Sequence, residues 1–110
     1  MQNTQNTMSI ASIDELLIDH DMSLKEIFEY TRYTPETAYP QVVAQYYSMR
    51  SLLRVANRFG DVDEANFYSR KILEVDDDWF ALTKGKMPLD TVEYDNPQVF
   101  QQAIKILEES

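Results

Sequence analysis

The 110-residue sequence predicts an all-α fold: a small bundle of five or six helices around one central antiparallel αα-hairpin, with arms at 41–59 and 62–75. Three observations carry that prediction. Only two glycines and four prolines occur, too few for the turns that an all-β chain requires. Apolar residues follow the helical period from 41 to 59, where Val42, Tyr46, Met49, Leu52, Leu53, Ala56 and Phe59 share one sector at about 100° per residue. Gly60 then offers a left-handed stop and Asp61 an immediate N-cap, so the connection is short enough to make the two arms an antiparallel pair.

The elements follow in order. Residues 1–10 are polar and repetitive (QNTQNT) and read as a disordered tail, with Met8 a possible second start; residues 11–110 read as one helical domain. Ser12 and Glu15 have capping-box spacing and open a short helix through Ile13, Leu16, Leu17 and Ile18. Ser23 and Glu26 repeat the device ahead of Leu24, Ile27, Phe28 and Tyr30. Thr34-Pro35 marks another start, and Pro40, which lacks a backbone donor, predicts a break or kink between Thr37 and Gln41. The 62–75 arm is expected to bury Ala65, Tyr68, Ile72 and Leu73. After Asp76, Asp77 and Asp78 comes a separate short helix with Trp79, Phe80 and Leu82, then a loop over 86–95, then an amphipathic helix opened by Pro97.

Composition narrows function. Nineteen acidic residues against ten basic ones give a formal charge of −9. Such a chain is repelled by a nucleic-acid backbone, which argues against direct DNA or RNA binding. The same charge suits solubility, or occupation of another protein's basic groove. No cysteine is present, no stretch approaches the roughly 20 apolar residues of a membrane span, and MQNTQNTMSI has neither the basic nor the apolar region of a secretory signal, so the cytoplasm is the expected location. Phosphate-loop glycines and paired metal histidines are missing, and the acidic run 74–78 lacks the ligand alternation and turn glycine of a calcium loop. His20 stands alone between Asp19 and Asp21. A non-enzymatic protein without cofactor or metal is therefore expected.

The segment FGDVDEANFYSRKILEVD, residues 59–76, resembles the second half of a tetratricopeptide repeat, and the likeness extends over residues 46–79. Gly60, Asp61 and Ala65 fall at the family's spacing, Tyr68, Leu73 and Val75 at further apolar positions, and Met49 and Leu52 at two first-helix positions. Leu53, Ile72, Ser69, Ala56 and Asp77 depart from the pattern. One helical hairpin is what the resemblance implies. It also implies that Tyr47, Arg50, Arg54, Asn57 and Arg58 fall at positions that line the concave, peptide-binding face of such arrays.

Arg50, Arg54 and Arg58 recur at i, i+4 and i+8, sharing one helix sector with Val43, Tyr47 and Asn57. Guanidinium forks suit carboxylates and phosphates, and tyrosine adds a flat contact surface. An adaptor that binds an acidic segment of another protein through Tyr47, Arg50, Arg54, Asn57, Arg58 and Phe67 is the leading expectation. The competing reading has these arginines paired with nearby carboxylates on a solvated face. Tyr46 is expected in the core and Tyr47 at the surface. A second functional class is a small acidic inhibitor of the type phages encode, blocking the basic groove of a nucleic-acid-handling protein with Asp61, Asp63, Glu64, Asp76, Asp77 and Asp78. A third is a structural subunit whose exposed tyrosines and Phe67 are buried in an assembly. Oligomeric state is open.

Overall fold

The computed structural model describes residues 12–109; the expected tail at 1–10 lies outside them. It contains six helices: α1 (Glu15–Asp19), α2 (Leu24–Tyr30), α3 (Pro35–Arg58), α4 (Val62–Thr83), α5 (Val92–Asp95) and α6 (Pro97–Glu109). The molecule is 79% helical, with no strand among the described residues, so the all-α bundle around an αα-hairpin is what forms.

Local chemistry sets most of the helix starts. Ser12 Oγ accepts from the Glu15 amide (3.1 Å), and α1 is a single π-type turn closed by the His20 amide on the Glu15 carbonyl. Ser23 and Glu26 form a complete capping box at α2. Thr34 does the same for α3 with Thr37. Asp61 accepts from the Glu64 amide at α4, and Asn96 accepts from the Val99 amide at the head of α6. α4 ends where Lys84 takes a left-handed conformation (φ 58°).

Two expected helix breaks do not occur. Pro40 lies inside α3, which runs unbroken from Pro35. The proline removes one first-turn hydrogen bond, to the Glu36 carbonyl, but Ala38, Tyr39, Val42, Val43, Ala44 and Tyr46 around it are all buried. Several kilocalories of apolar burial outweigh about 3 kcal/mol for an interior proline. Likewise Asp76, Asp77 and Asp78 lie within α4 and cap no following helix. Lys71, Val75, Trp79 and Thr83 make one buried stripe at i, i+4, i+8 and i+12, which holds the helix together through the acidic run. The expected 86–95 loop contains α5, whose Val92 is fully buried together with Leu89.

The core lies where α3 packs on α4 and α6, with α2 against α4. Trp79 is its centre, edge-on to Phe28 and 5.6 Å from the Tyr39 ring. The Tyr39 hydroxyl donates to the Pro88 carbonyl and the Trp79 indole N–H to the Met87 carbonyl, so two aromatic donors fasten the α4–α5 connection to the core. On the other side, Lys71 is fully buried. Its ammonium donates to the Met22 carbonyl (2.8 Å) and pairs with Asp21 (3.0 Å) and Glu74 (3.3 Å). Arg70 grips the same two carboxylates, tying the α1–α2 joint to α4. Asp78 adds a third tie by accepting from the Lys25 amide at the start of α2.

α6 covers only part of α3. Phe100, near its start, meets Tyr47, while Ile106, near its end, borders a cleft with Gln41 and Gln45. The two helices therefore run antiparallel, and α6 reaches no farther than the middle of α3. Beyond it the hairpin projects, along the 46 Å axis of a molecule 30 × 27 Å across. For that reason Leu52 and Phe59, expected in the core, are exposed; Leu73, also expected there, is exposed because it lies opposite the buried Lys71–Val75–Trp79 stripe of α4. At the tip it is Ala56 that is buried, with Ala65 partly so.

Candidate interaction surface

Each proposed partner-binding residue now has a place. Tyr47 is not at the surface: its ring is half-buried, 5.9 Å from Tyr46 and 6.0 Å from Phe100. Burial pushes its phenol pKa up, as it does for the buried Tyr46. The sequence places Tyr47 on the outer sector of α3 correctly; what it does not reveal is that α6 covers that half of the sector. Phe67 is half-buried too, edge-on to Tyr68 and under the Arg70 guanidinium at 5.3 Å.

The arginines behave differently. Arg50, Arg54, Asn57 and Arg58 are all exposed on the projecting half of α3. Arg50 lies over the Tyr46 ring at 5.5 Å, and Arg54 donates to the Ser51 hydroxyl at 3.2 Å. Among the described residues, the ion pairs involve Arg70, Lys71 and His20; none of the three α3 arginines has a carboxylate oxygen within 4.0 Å. In a chain of net charge −9 that separation is informative. Arg54 and Arg58 thus lack a close acidic neighbour, whereas Arg50 lies within electrostatic reach of Asp76, whose raised carboxyl pKa its charge partly offsets. Arg54, Asn57 and Arg58 border an open depression of about 580 Å³.

A neighbouring concavity of about 320 Å³ lies between the helices at the tip, with Ala56 and Asn57 on α3 and Val62, Ala65 and Asn66 on α4. Sequence reasoning passed over its α4 side. Val62, Asn66 and Leu73 fall at i, i+4 and i+11, opposite the buried Lys71–Val75–Trp79 stripe, so they form one solvent edge. The exposure of Val62 (66%) and Leu73 (65%) leaves two large apolar side chains uncovered there. Their period matches the buried stripe's period shifted by half a turn, a signal legible only once the buried side is known.

The acidic set does not gather into one surface. Asp61 caps α4, Asp78 caps α2, and Asp76 is half-buried, its carboxyl pKa pushed up by burial and by the nearby Asp90 charge. Asp63, Glu64 and Asp77 are exposed. Among the described residues no three of His, Asp and Glu converge as metal ligands, and no helix is long and apolar enough to cross a membrane. No known protein family, curated protein or solved structure matches the chain.

Proposed function

We propose that the protein is a non-enzymatic interaction module of the cytoplasm that binds an acidic segment of another protein with the projecting tip of its α3–α4 hairpin. The observation that carries this reading is the set of exposed arginines, Arg50, Arg54 and Arg58, none with a carboxylate oxygen within 4.0 Å in an otherwise acidic chain. Guanidinium groups at one-turn spacing match carboxylates spaced along an extended or helical segment. Asn57 and Asn66 supply carboxamides for a ligand backbone, and Val62 and Leu73 supply apolar contact. The resemblance of 46–79 to a tetratricopeptide hairpin supports the same face. Tyr47 contributes by packing α3 on α6 rather than by touching a ligand. The acidic-decoy reading gains no comparable support, because Asp61 and Asp78 serve the fold as helix caps and Asp76 is half-buried.

The test is a fluorescence-polarisation titration with labelled peptides that alternate Glu or Asp with Leu, beside their Lys-substituted counterparts. Acidic peptides are expected to bind in the micromolar range and to lose affinity at high salt. Arg50→Glu with Arg54→Glu should weaken binding at least about tenfold, one 1.4 kcal/mol step. Asp77→Asn should leave it unchanged. Equal binding of acidic and basic peptides, or indifference to the arginine reversal, sinks the proposal.

A further inference from the structure

The depression over the last turns of α3 is lined by Ser51, Arg54, Val55 and Arg58, at i, i+3, i+4 and i+7, with Asn57 and Phe59 beside them. All six belong to α3 and its C-cap, and four of them form two rows. Arg54 and Arg58 make a cationic row. Val55 and Phe59, 51% and 78% exposed, make an apolar row about 100° farther around the helix. Each row repeats every four residues, about 6 Å along the axis. No acid interrupts them, because the sequence has no Asp or Glu between Glu36 and Asp61.

Two rows side by side match a helical ligand better than an extended one. In a strand successive side chains alternate between faces, so a single row, j and j+2, meets the protein. A helix presents j and j+4 beside j+3 and j+7 on one face, with the same repeat as α3. The main chain favours a helix too. Even in the last turn of α3 the Val55, Ala56 and Asn57 carbonyls accept from the Phe59, Asp61 and Gly60 amides, so this surface offers a strand no ladder to join. A helix satisfies its own main chain. Position agrees: Tyr47, Arg54 and Arg58 lie on one line of α3 at i, i+7 and i+11, and over Tyr47 that line is already covered by a helix, α6, through Phe100. The open rows begin where the α6 cover stops.

Given the acidic-segment reading, on which this rests, we propose that the segment docks as an α-helix along the open half of α3, prolonging the layer that α6 begins. Like α6 it runs antiparallel to α3. Its positive N-terminal dipole end then lies at the tip beside Asp61 and Glu64, and its negative end beside the N-terminus of α6. In that direction the rows match when large apolar side chains at j and j+4 meet Phe59 and Val55, and carboxylates at j+3 and j+7 meet Arg58 and Arg54. Asn57 and Asn66, at the tip, are placed for the main-chain N–H groups that a helix leaves open in its first turn.

The probe is a capped, labelled peptide of about 15 residues, with Leu at j and j+4, Glu at j+3 and j+7, and Ala and Gln elsewhere. It is titrated against the full chain in three forms: unmodified, locked as a helix by a lactam between two outward positions, and broken by a central proline. The locked form should bind at least about tenfold tighter than the unmodified one, because its ordering cost is already met, and the proline form at least about tenfold weaker. Phe59→Ser should weaken the locked peptide at least about fivefold. Arg58→Glu should weaken it about tenfold, and Lys in place of the peptide's Glu at j+3 should restore binding to within about threefold, whereas Lys at j+7 should not. Far-UV circular dichroism verifies that the protein variants are folded. If the proline form binds as well as the locked one, both still dependent on Arg54, the helical docking is overturned and the acidic-segment reading stands. If no form binds, the helical docking is overturned as well, and the alternating peptides of the first test decide whether the acidic-segment reading falls with it.

Discussion

Lys71 allows the sharpest test of what holds the N-terminal helices to the hairpin. It is fully buried, with its ammonium on the Met22 carbonyl, Asp21 and Glu74. Lys71→Ala deletes three buried methylenes beyond Cβ, worth about 2 kcal/mol at about 0.8 kcal/mol each. It also deletes charge-assisted hydrogen bonds. Loss of one partner from a fully buried pair costs about 3–5 kcal/mol, but here Asp21 is half exposed and Arg70 still holds both carboxylates. The polar loss is therefore about 1 kcal/mol, and Lys71→Ala should cost about 3 kcal/mol in all. Lys71→Met keeps the stem and loses the ammonium, so it should cost about 1 kcal/mol. Urea denaturation at neutral pH, followed by Trp79 fluorescence, measures both against an exposed control, Lys105→Ala, expected within about 0.5 kcal/mol of native. A Lys71→Ala cost under about 1 kcal/mol, or a Met variant as damaged as the Ala variant, refutes the reasoning.

Two further predictions concern pH and the α4–α5 connection. The Lys71 hydrogen bond, before any other cause, holds the Asp21 carboxyl below its ordinary range; stability from this group is present above that range and lost as pH falls through the depressed folded value, so the acid limb of a stability–pH curve should flatten in Lys71→Met. Asp76 has the opposite sign: burial raises its pKa, so its contribution is full below the ordinary carboxylate range and lost as pH rises through the folded value. Asp76→Asn should accordingly raise Tm at pH 7 and lose that advantage in acid. Tyr39→Phe keeps the ring beside Trp79 and removes the donor to the Pro88 carbonyl, which should cost about 1 kcal/mol and speed amide hydrogen exchange over residues 84–91.

The helix starts were legible because capping is local. Ser23 with Glu26, Thr34 with Pro35, Asp61 and Pro97 act within one turn, and each opens a helix where the residues alone indicate. The hairpin was legible for the same reason, from a helical period interrupted by Gly60. The failures share a cause as well. Pro40 and the Asp76–Asp78 run disfavour a helix locally, and both are overruled by core burial contributed by residues distant in sequence.

For the site, the sequence determined which residues share a face of α3 and that three arginines form a ladder on it. Helix periodicity fixes that much whatever surrounds the helix. Only the tertiary structure decided where that face is covered: Phe100, near the start of α6, packs against Tyr47, which closes the first half and leaves Arg50, Arg54, Asn57 and Arg58 exposed beyond it. It also decided that Lys71, ordinary in the sequence, is buried in a five-membered ionic and carbonyl network with Asp21, Met22, Arg70 and Glu74. Burial depends on what arrives from elsewhere in the chain, and a one-dimensional pattern records only the period with which a helix can receive it.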